Sequence, residues 1–202
     1  MKFVLATANP GKIREMQQIL KGLGLEITTR QALGIDIDVE ETGSTFMENA
    51  LLKAGAICGA SGLPAIADDS GLMVDALGGG PGVYSSSYGG EHLSDRERCA
   101  FLLEKIKNKE QRGAEFVCTI ACKFPDGGTL SAEGRRRGDI ADAPRGSGGF
   151  GYDSVFIVQG LDKTMAELSE NEKNAVSHRG EALRKFALLL QERMRVLRSL
   201  EQ

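Results

Sequence analysis

The side chains with chemistry to offer gather in four short segments. The first is Thr7-Ala8-Asn9-Pro10-Gly11-Lys12, read as a turn from a strand into a helix. A helix start presents unpaired backbone N–H groups and the positive end of the helix dipole, which together attract anions. Lys12 adds a cation at the same spot. On these residues alone an ordinary capped helix with a solvated lysine is the simpler reading, and the spacing and missing second glycine exclude a Walker loop.

The second is Asp68-Asp69-Ser70-Gly71, which follows a short apolar run at residues 64–67. Two adjacent carboxylates at a strand end stand where open α/β sheets keep their active sites. Hard cations such as Mg²⁺ take oxygen ligands, commonly one or two protein carboxylates completed by substrate phosphates. An acidic turn with aspartate as a local cap accounts for the same residues, and the segment alone does not choose. Glu40-Glu41-Thr42-Gly43 is a similar acidic pair before a glycine, which by itself reads as a solvated loop. Lys53 lies close to the buried stripe of a predicted helix, where it either points into a cleft or snorkels to solvent.

The third, Gly146-Ser147-Gly148-Gly149-Phe150-Gly151, spells G-x-G-x-x-G. A dinucleotide fingerprint needs a strand before it and a helix after it. Here Ala141-Asp142-Ala143-Pro144-Arg145 precedes and a predicted strand follows, so that reading is excluded. Such a glycine cluster suits a loop whose backbone approaches a flat ligand, with Phe150 or Tyr152 stacking on a base. A rim loop with Phe150 in the core is the rival reading. The fourth segment is Glu172-Lys173-Asn174-Ala175-Val176-Ser177-His178-Arg179. Ser177 suits the cap of the last helix, which puts His178 and Arg179 in a first turn where the dipole disfavours cations. A bound anion, a ring carbonyl or a neighbouring carboxylate would each compensate.

These segments need elements to hold them. Residues 2–7 form an apolar strand, and Asn9 caps a helix whose stripe is Ile13, Met16 and Leu20, closed by Gly22 and Gly24. Thr45 and Glu48 have capping-box spacing ahead of a second helix with Phe46, Ala50, Ala54 and Ile57 on its buried face. Residues 64–67 are a short strand ending at the aspartates, and a glycine-rich loop at 78–82 leads to a third helix capped by Ser94 and Glu97. Residues 114–124 and 129–132 flank Pro125-Asp126-Gly127-Gly128 as a hairpin, 153–158 is a further strand, and 177–200 is a long amphipathic helix. The chain is thus mixed α/β, without linker or repeat.

Composition narrows the function. A chain of 202 residues, 41% hydrophobic, buries a real core in one domain or in two lobes sharing a sheet. Its net charge of -3 carries no basic footprint for a nucleic-acid polymer, whereas a free nucleotide needs only a local cluster of cations. The apolar stretch in MKFVLATANPGK is too short for a signal peptide and no run reaches the length of a membrane span, so the cytosol is the expected location. Cys58, Cys99, Cys118 and Cys122 lack zinc-type spacing and read as reduced core thiols, Cys118 and Cys122 on one side of a strand. With only His92 and His178, a histidine-based zinc site is not expected.

Together, ATANPGK, EETGSTFMENALLKA, LPAIADDSGL, LGGGPGVYS, GGFGYD and EKNAVSHR run in order from Val4 to beyond Arg179. This set resembles the inosine triphosphate pyrophosphatase family, also called the Ham1 or RdgB-type family, and is far more specific than any one of its members. The resemblance implies an elongated α/β fold with a long mixed sheet flanked by helices, one domain over residues 1–202 made of two lobes with a central active-site cleft, usually as a homodimer. It implies magnesium-dependent hydrolysis of ITP, dITP and XTP to the monophosphate and pyrophosphate, which clears deaminated purines from the nucleotide pool.

Residues carry over by position. Thr7, Ala8, Asn9, Pro10, Gly11 and Lys12 match the stretch that grips the triphosphate, with Lys12 and Lys53 neutralising its charge. Glu41, with Glu40 beside it, and Asp69 match the magnesium positions. Asp69 also matches the general base, and Ser70 a substrate contact. Phe150, Gly151, Tyr152 and Asp153 match the loop around the base. Lys173, His178 and Arg179 match the group that reads the 6-keto edge of the purine. Hypoxanthine and xanthine present an acceptor at that edge and adenine a donor, so a site of donors penalises adenine strongly. Two positions depart from the family: Ser85-Ser86-Ser87 stands where relatives often carry a basic residue, and Ser154 where a proline is common. The rival readings are a Maf-like pyrophosphatase for modified pyrimidine nucleotides, against which the SHR segment and the GGFGYD loop argue, and a nucleotide-binding regulator without catalysis.

Overall fold

Phe3, Val4 and Leu5 are wholly buried and form, with Lys2, the first strand β1 (Lys2–Leu5) of the computed structural model, which describes residues 1–200. The chain then turns into α1 (Pro10–Leu20). The Asn9 side-chain oxygen accepts from the N–H groups of Gly11 (2.9 Å) and Lys12 (3.2 Å), and Pro10 takes a first-turn position where its missing N–H costs nothing. Met16 and Leu20 of the expected stripe are buried. Gly24, at φ 64°, ends the short 3-10 turn that closes this helix.

Next come β2 (Glu26–Thr29), parallel to β1 from Lys2↔Glu26 to Leu5↔Thr29, and α2 (Phe46–Ser61). The Thr45–Glu48 capping box is formed as its spacing predicts, and Ala50, Ala54 and Ile57 are buried. The strand expected at 64–67 is longer. It runs ten residues as β3 (Ala65–Val74), parallel to β1 at Val4↔Ala65 and Leu5↔Ile66, and carries the two aspartates in its middle rather than at its end. Adjacent acids break a buried strand only when unpaired, and here both are paired with cations.

Ser94 and Glu97 cap α3 (Asp95–Lys105). The hairpin follows as β4 (Gly113–Lys123) and β5 (Thr129–Ile140), with reciprocal bonds across its turn between Phe124 and Gly127 or Gly128, each 3.0 Å. Only residues 156–158 of the strand expected at 153–158 pair, as β6 (Phe156–Val158), antiparallel to β5. The preceding residues turn instead, Asp153 N–H bonding Phe150 O and Val155 N–H bonding Tyr152 O. A short helix that periodicity did not reveal, α4 (Glu170–Val176), is capped by Ser169 and Glu172 ahead of α5 (His178–Leu200).

Among the described residues the strands order β2-β1-β3-β4-β5-β6 in one mixed sheet, with five α-helices around it. The chain packs as two compact units. One comprises Met1–Asp69, Thr119–Gly134 and the described residues from Arg179 on; the other comprises Ser70–Cys118 and Arg135–His178. The first has a core of Val4, Ala6, Ala54, Ile57, Ala65 and Ala67, and the second one of Leu72, Val74, Phe116, Ile140, Tyr152 and Phe156. All four cysteines are buried and stay outside any disulfide, as expected. Among the described residues no helix is long and apolar enough to cross a membrane.

Candidate active site

In the first unit, the parallel strands β2 and β1 end side by side and β3 continues past its pairing with β1 to Asp68 and Asp69, an edge of the kind where open α/β sheets collect ligands. A cavity of about 170 Å³ opens there, lined by Ala6, Thr7, Ala8, Lys12, Arg30, Asp38, Val39, Glu41, Lys53, Ala67 and Asp68. Thr7, Ala8 and Lys12 reach it from the β1–α1 turn, while Asn9 is occupied in capping α1 and lends the Thr7 hydroxyl a backbone N–H at 3.1 Å.

The two aspartates divide their partners. Asp68 Oδ2 receives Lys12 Nζ (3.0 Å), Arg179 Nε (3.2 Å) and an Arg179 terminal nitrogen (3.1 Å), and its Oδ1 is buried with no hydrogen-bond partner. Burial pushes this carboxyl up, but Lys12, Arg179 and Lys53 outweigh it and hold Asp68 well below the usual carboxylate range. Asp69 Oδ1 receives Lys53 Nζ at 2.8 Å, and the same ammonium bonds Glu41 Oε1 at 3.1 Å. For Asp69 burial wins: it is pushed up to about 6 although Lys53 pulls it back. A carboxylate poised closer to neutrality is a better proton acceptor than a surface one. Lys53, which burial would discharge, is held protonated by Asp69, Asp68 and Glu41.

Asn49 ties this corner together. Its Nδ2 donates to Asp69 Oδ2 at 3.4 Å and its Oδ1 accepts from Gly43 N–H at 2.8 Å, joining the acidic loop to β3. A Cβ on Gly43 would stand 2.6 Å from Asn49 Oδ1 and 2.7 Å from Glu48 Cβ, so only glycine fits that approach. Both glutamates are exposed, and of the two Glu41 lines the cavity. Arg179 lies in the first turn of α5, where the dipole disfavours it, and Asp68 and Glu15, the latter at 2.6 Å, compensate.

The second unit holds the other candidates. A cavity of about 510 Å³ is lined by Asp95, Arg96, Cys99, Pro144, the glycine loop through Phe150 and Gly151, Asp153 and Ser154. Lys173 Nζ bonds Asp153 Oδ2 at 2.7 Å and lies 4.5 Å over the Phe150 ring. Asp153 Oδ2 also accepts the Phe150 N–H at 2.9 Å, and a Cβ on Gly149 would strike that carboxylate. Phe150 is half-buried at the cavity, whereas Tyr152 belongs to the core, its hydroxyl donating to Ser85 O at 2.9 Å. His178 is buried and stacks on Phe116, ring centroids 4.5 Å apart. Ser70 is half-buried on β3. Ser85, one of the departures, is structural: its hydroxyl accepts the Leu72 N–H at 2.8 Å and donates to Gly82 O at 2.6 Å.

Three contributors escaped the sequence reading. Asn49 left one weak signal, a polar residue beside the buried Ala50 on α2. Arg30 and Glu15 left none, since their roles depend on contacts distant in sequence.

The family model described as the Ham1 family matches residues 3–189. The chain is 47% identical over 190 residues to the dITP/XTP pyrophosphatase of Bacillus subtilis, covering 93% of this chain and 96% of that protein. It is 52% identical over 186 residues to the dITP/XTP pyrophosphatase of Thermus thermophilus, covering 91% and 89%. Among solved structures, the Staphylococcus aureus Ham1 protein superposes with a TM-score of 0.86 at 44% identity, covering 96% of this chain and all of that one.

Proposed function

Because the chain belongs to the Ham1 family, we propose that it hydrolyses non-standard purine nucleoside triphosphates (dITP, XTP and ITP) to the nucleoside monophosphate and pyrophosphate. The same reading makes it a Mg²⁺-dependent enzyme, a single domain acting as a cytoplasmic homodimer. The observation that carries it is the Lys53 ammonium held between Asp69 and Glu41 at a cavity that Lys12 also lines.

In this reading Asp69 accepts a proton from water, whose oxygen attacks the α-phosphorus. The bond from that phosphorus to the α,β-bridging oxygen breaks, and pyrophosphate leaves with the electron pair. Lys12 and Lys53 offset the charge of the polyphosphate, aided by the N–H groups that open α1. Asn49 keeps the Asp69 carboxylate turned toward its partner. Among the described residues no cluster of three or more metal-binding side chains exists. Glu41 and Asp69 nevertheless fit a hard dication completed by phosphate oxygens and water, and Asp68 Oδ1 is a buried oxygen lacking a hydrogen bond. Mg²⁺ held there would polarise phosphoryl oxygens and stabilise the leaving pyrophosphate.

Base selection in this reading rests on residues of the glycine loop and of the segment around α4. Phe150 offers a stacking face, and Lys173 and His178 are the donors for a 6-keto acceptor. Since the Arg179 guanidinium is bonded to Asp68 and Glu15, its part in this reading is to hold Asp68 in place.

The test is pyrophosphate release with Mg²⁺ from dITP, XTP and ITP beside ATP, GTP and modified pyrimidine triphosphates. Strong preference for the first three is expected. Release without purine preference would leave the chemistry and remove the base selection, preference for the modified pyrimidines would favour a Maf-like enzyme, and no release from any would leave a nucleotide-binding regulator.

A further inference from the structure

Arg30 lines the same cavity as Lys12 and Lys53, and we propose that it is a third cation gripping the polyphosphate of the substrate; this rests on the pyrophosphatase reading above. Its backbone is fixed at the end of β2. The N–H donates to Leu5 O at 3.1 Å, continuing the pairing with β1, and the carbonyl accepts from Leu33 (3.2 Å) and Ile35 (2.9 Å). The side chain is tethered by one bond, from a terminal guanidinium nitrogen to Ile37 O at 2.6 Å. Its Nε is buried with no hydrogen-bond partner.

The other cations lining the cavity are already paired with acids, Lys12 with Asp68, and Lys53 with Glu41 and Asp69. Arg30 has no carboxylate within ion-pair distance among the described residues; Asp38, which also lines the cavity, is exposed and makes no bond to it. A buried guanidinium N–H left without an acceptor costs free energy. An anion in the cavity would give this guanidinium the counter-charge it lacks, and the planar fork of arginine matches phosphate oxygens. The two carboxylate-bound lysines must share any phosphate with their acids, whereas Arg30 need not.

Arg30→Gln keeps a donor for Ile37 O and removes the charge. The Michaelis constant for dITP should rise about 10- to 100-fold with kcat changed by about threefold or less, the span expected for a charged hydrogen bond, and Arg30→Lys should recover part of the loss. Inorganic tripolyphosphate, measured by calorimetry without nucleotide, should bind more weakly to Arg30→Gln by a similar factor. A folded Arg30→Gln protein with unchanged Michaelis constant and unchanged tripolyphosphate affinity would overturn the proposal. Should wild type cleave no triphosphate yet lose tripolyphosphate affinity on Arg30→Gln, the polyphosphate site stands and the pyrophosphatase reading falls. On wild type, tripolyphosphate should shield Arg30 from phenylglyoxal in peptide mapping, and absence of shielding counts against the proposal whatever the folding of the variant.

Discussion

Lys53 places its ammonium 2.8 Å from Asp69 Oδ1, within a site where burial pushes the same carboxyl up to about 6. In the proposed reading the lysine does two jobs at once: it orients the carboxylate and supplies a charge for phosphate. Asp69→Asn preserves size and an acceptor oxygen for Lys53 but cannot take a proton. Turnover of dITP and XTP should fall by about 10²- to 10⁴-fold, while nucleotide affinity changes little. Stopped turnover beside equilibrium binding on the same preparation checks this. Affinity lost in step with turnover would mean that Asp69 serves binding rather than proton transfer.

Phe150 and Tyr152 are two residues apart and differ in what they touch. Phe150 lines the cavity of the second unit beneath Lys173, whereas Tyr152 is core. Removing a stacking ring is worth about 1–3 kcal/mol per base, so Phe150→Ala should raise the Michaelis constant for dITP roughly tenfold or more with modest loss of stability. Tyr152→Phe strands the buried Ser85 carbonyl and should cost stability by about 1–3 kcal/mol, with the Michaelis constant held. Denaturant unfolding and steady-state kinetics on both variants separate the two roles. The opposite pattern would exchange them.

Arg179 is 2% exposed and bonded to Asp68 and Glu15. Arg179→Met leaves Asp68 buried with Lys12 as its one remaining direct cation. Breaking such a pair should cost about 3–5 kcal/mol of stability. Adding Asp68→Asn in that background should recover part of the loss, because the buried charge goes too. Urea unfolding of both proteins decides it. A single variant as stable as wild type would mean that the arginine is not a structural clamp.

What the sequence made legible follows from how local each feature is. The Asn9 cap, Pro10, and the Thr45–Glu48 and Ser94–Glu97 boxes involve residues three or fewer apart, and all formed where expected. The hairpin likewise announced itself in Pro125-Asp126-Gly127-Gly128. By contrast, β3 looked finished at Asp68 because its cations come from elsewhere, Arg179 lying 111 residues away. The short β2 gave too little pattern, and α4, though capped, spans seven residues. The candidate carboxylates and lysines were named from a family resemblance; their pairing, Asn49 between them and Arg30 beside them required coordinates.

Cys122 is wholly buried on β4, and burial pushes its thiol up to about 12. At pH 8 the thiolate fraction in the fold is then about 10⁻⁴, against roughly a quarter for a free cysteine. Cys58, also buried, is shifted the same way. Native protein should therefore react with an aromatic disulfide reagent far more slowly than denatured protein, which should titrate four thiols. The linkage has a definite sign. A folded pKa above the unfolded one means that, between about 9 and 12, the unfolded chain sheds a proton that the fold retains. Stability contributed by the neutral thiol is complete below the unfolded pKa and is lost as pH rises through this window. Cys122→Ala should thus lose less stability than wild type between pH 8 and pH 10 in matched denaturant titrations, whatever its starting value. Equal losses would mean that Cys122 ionises in the fold as it does in the open chain, and that its site on β4 admits water.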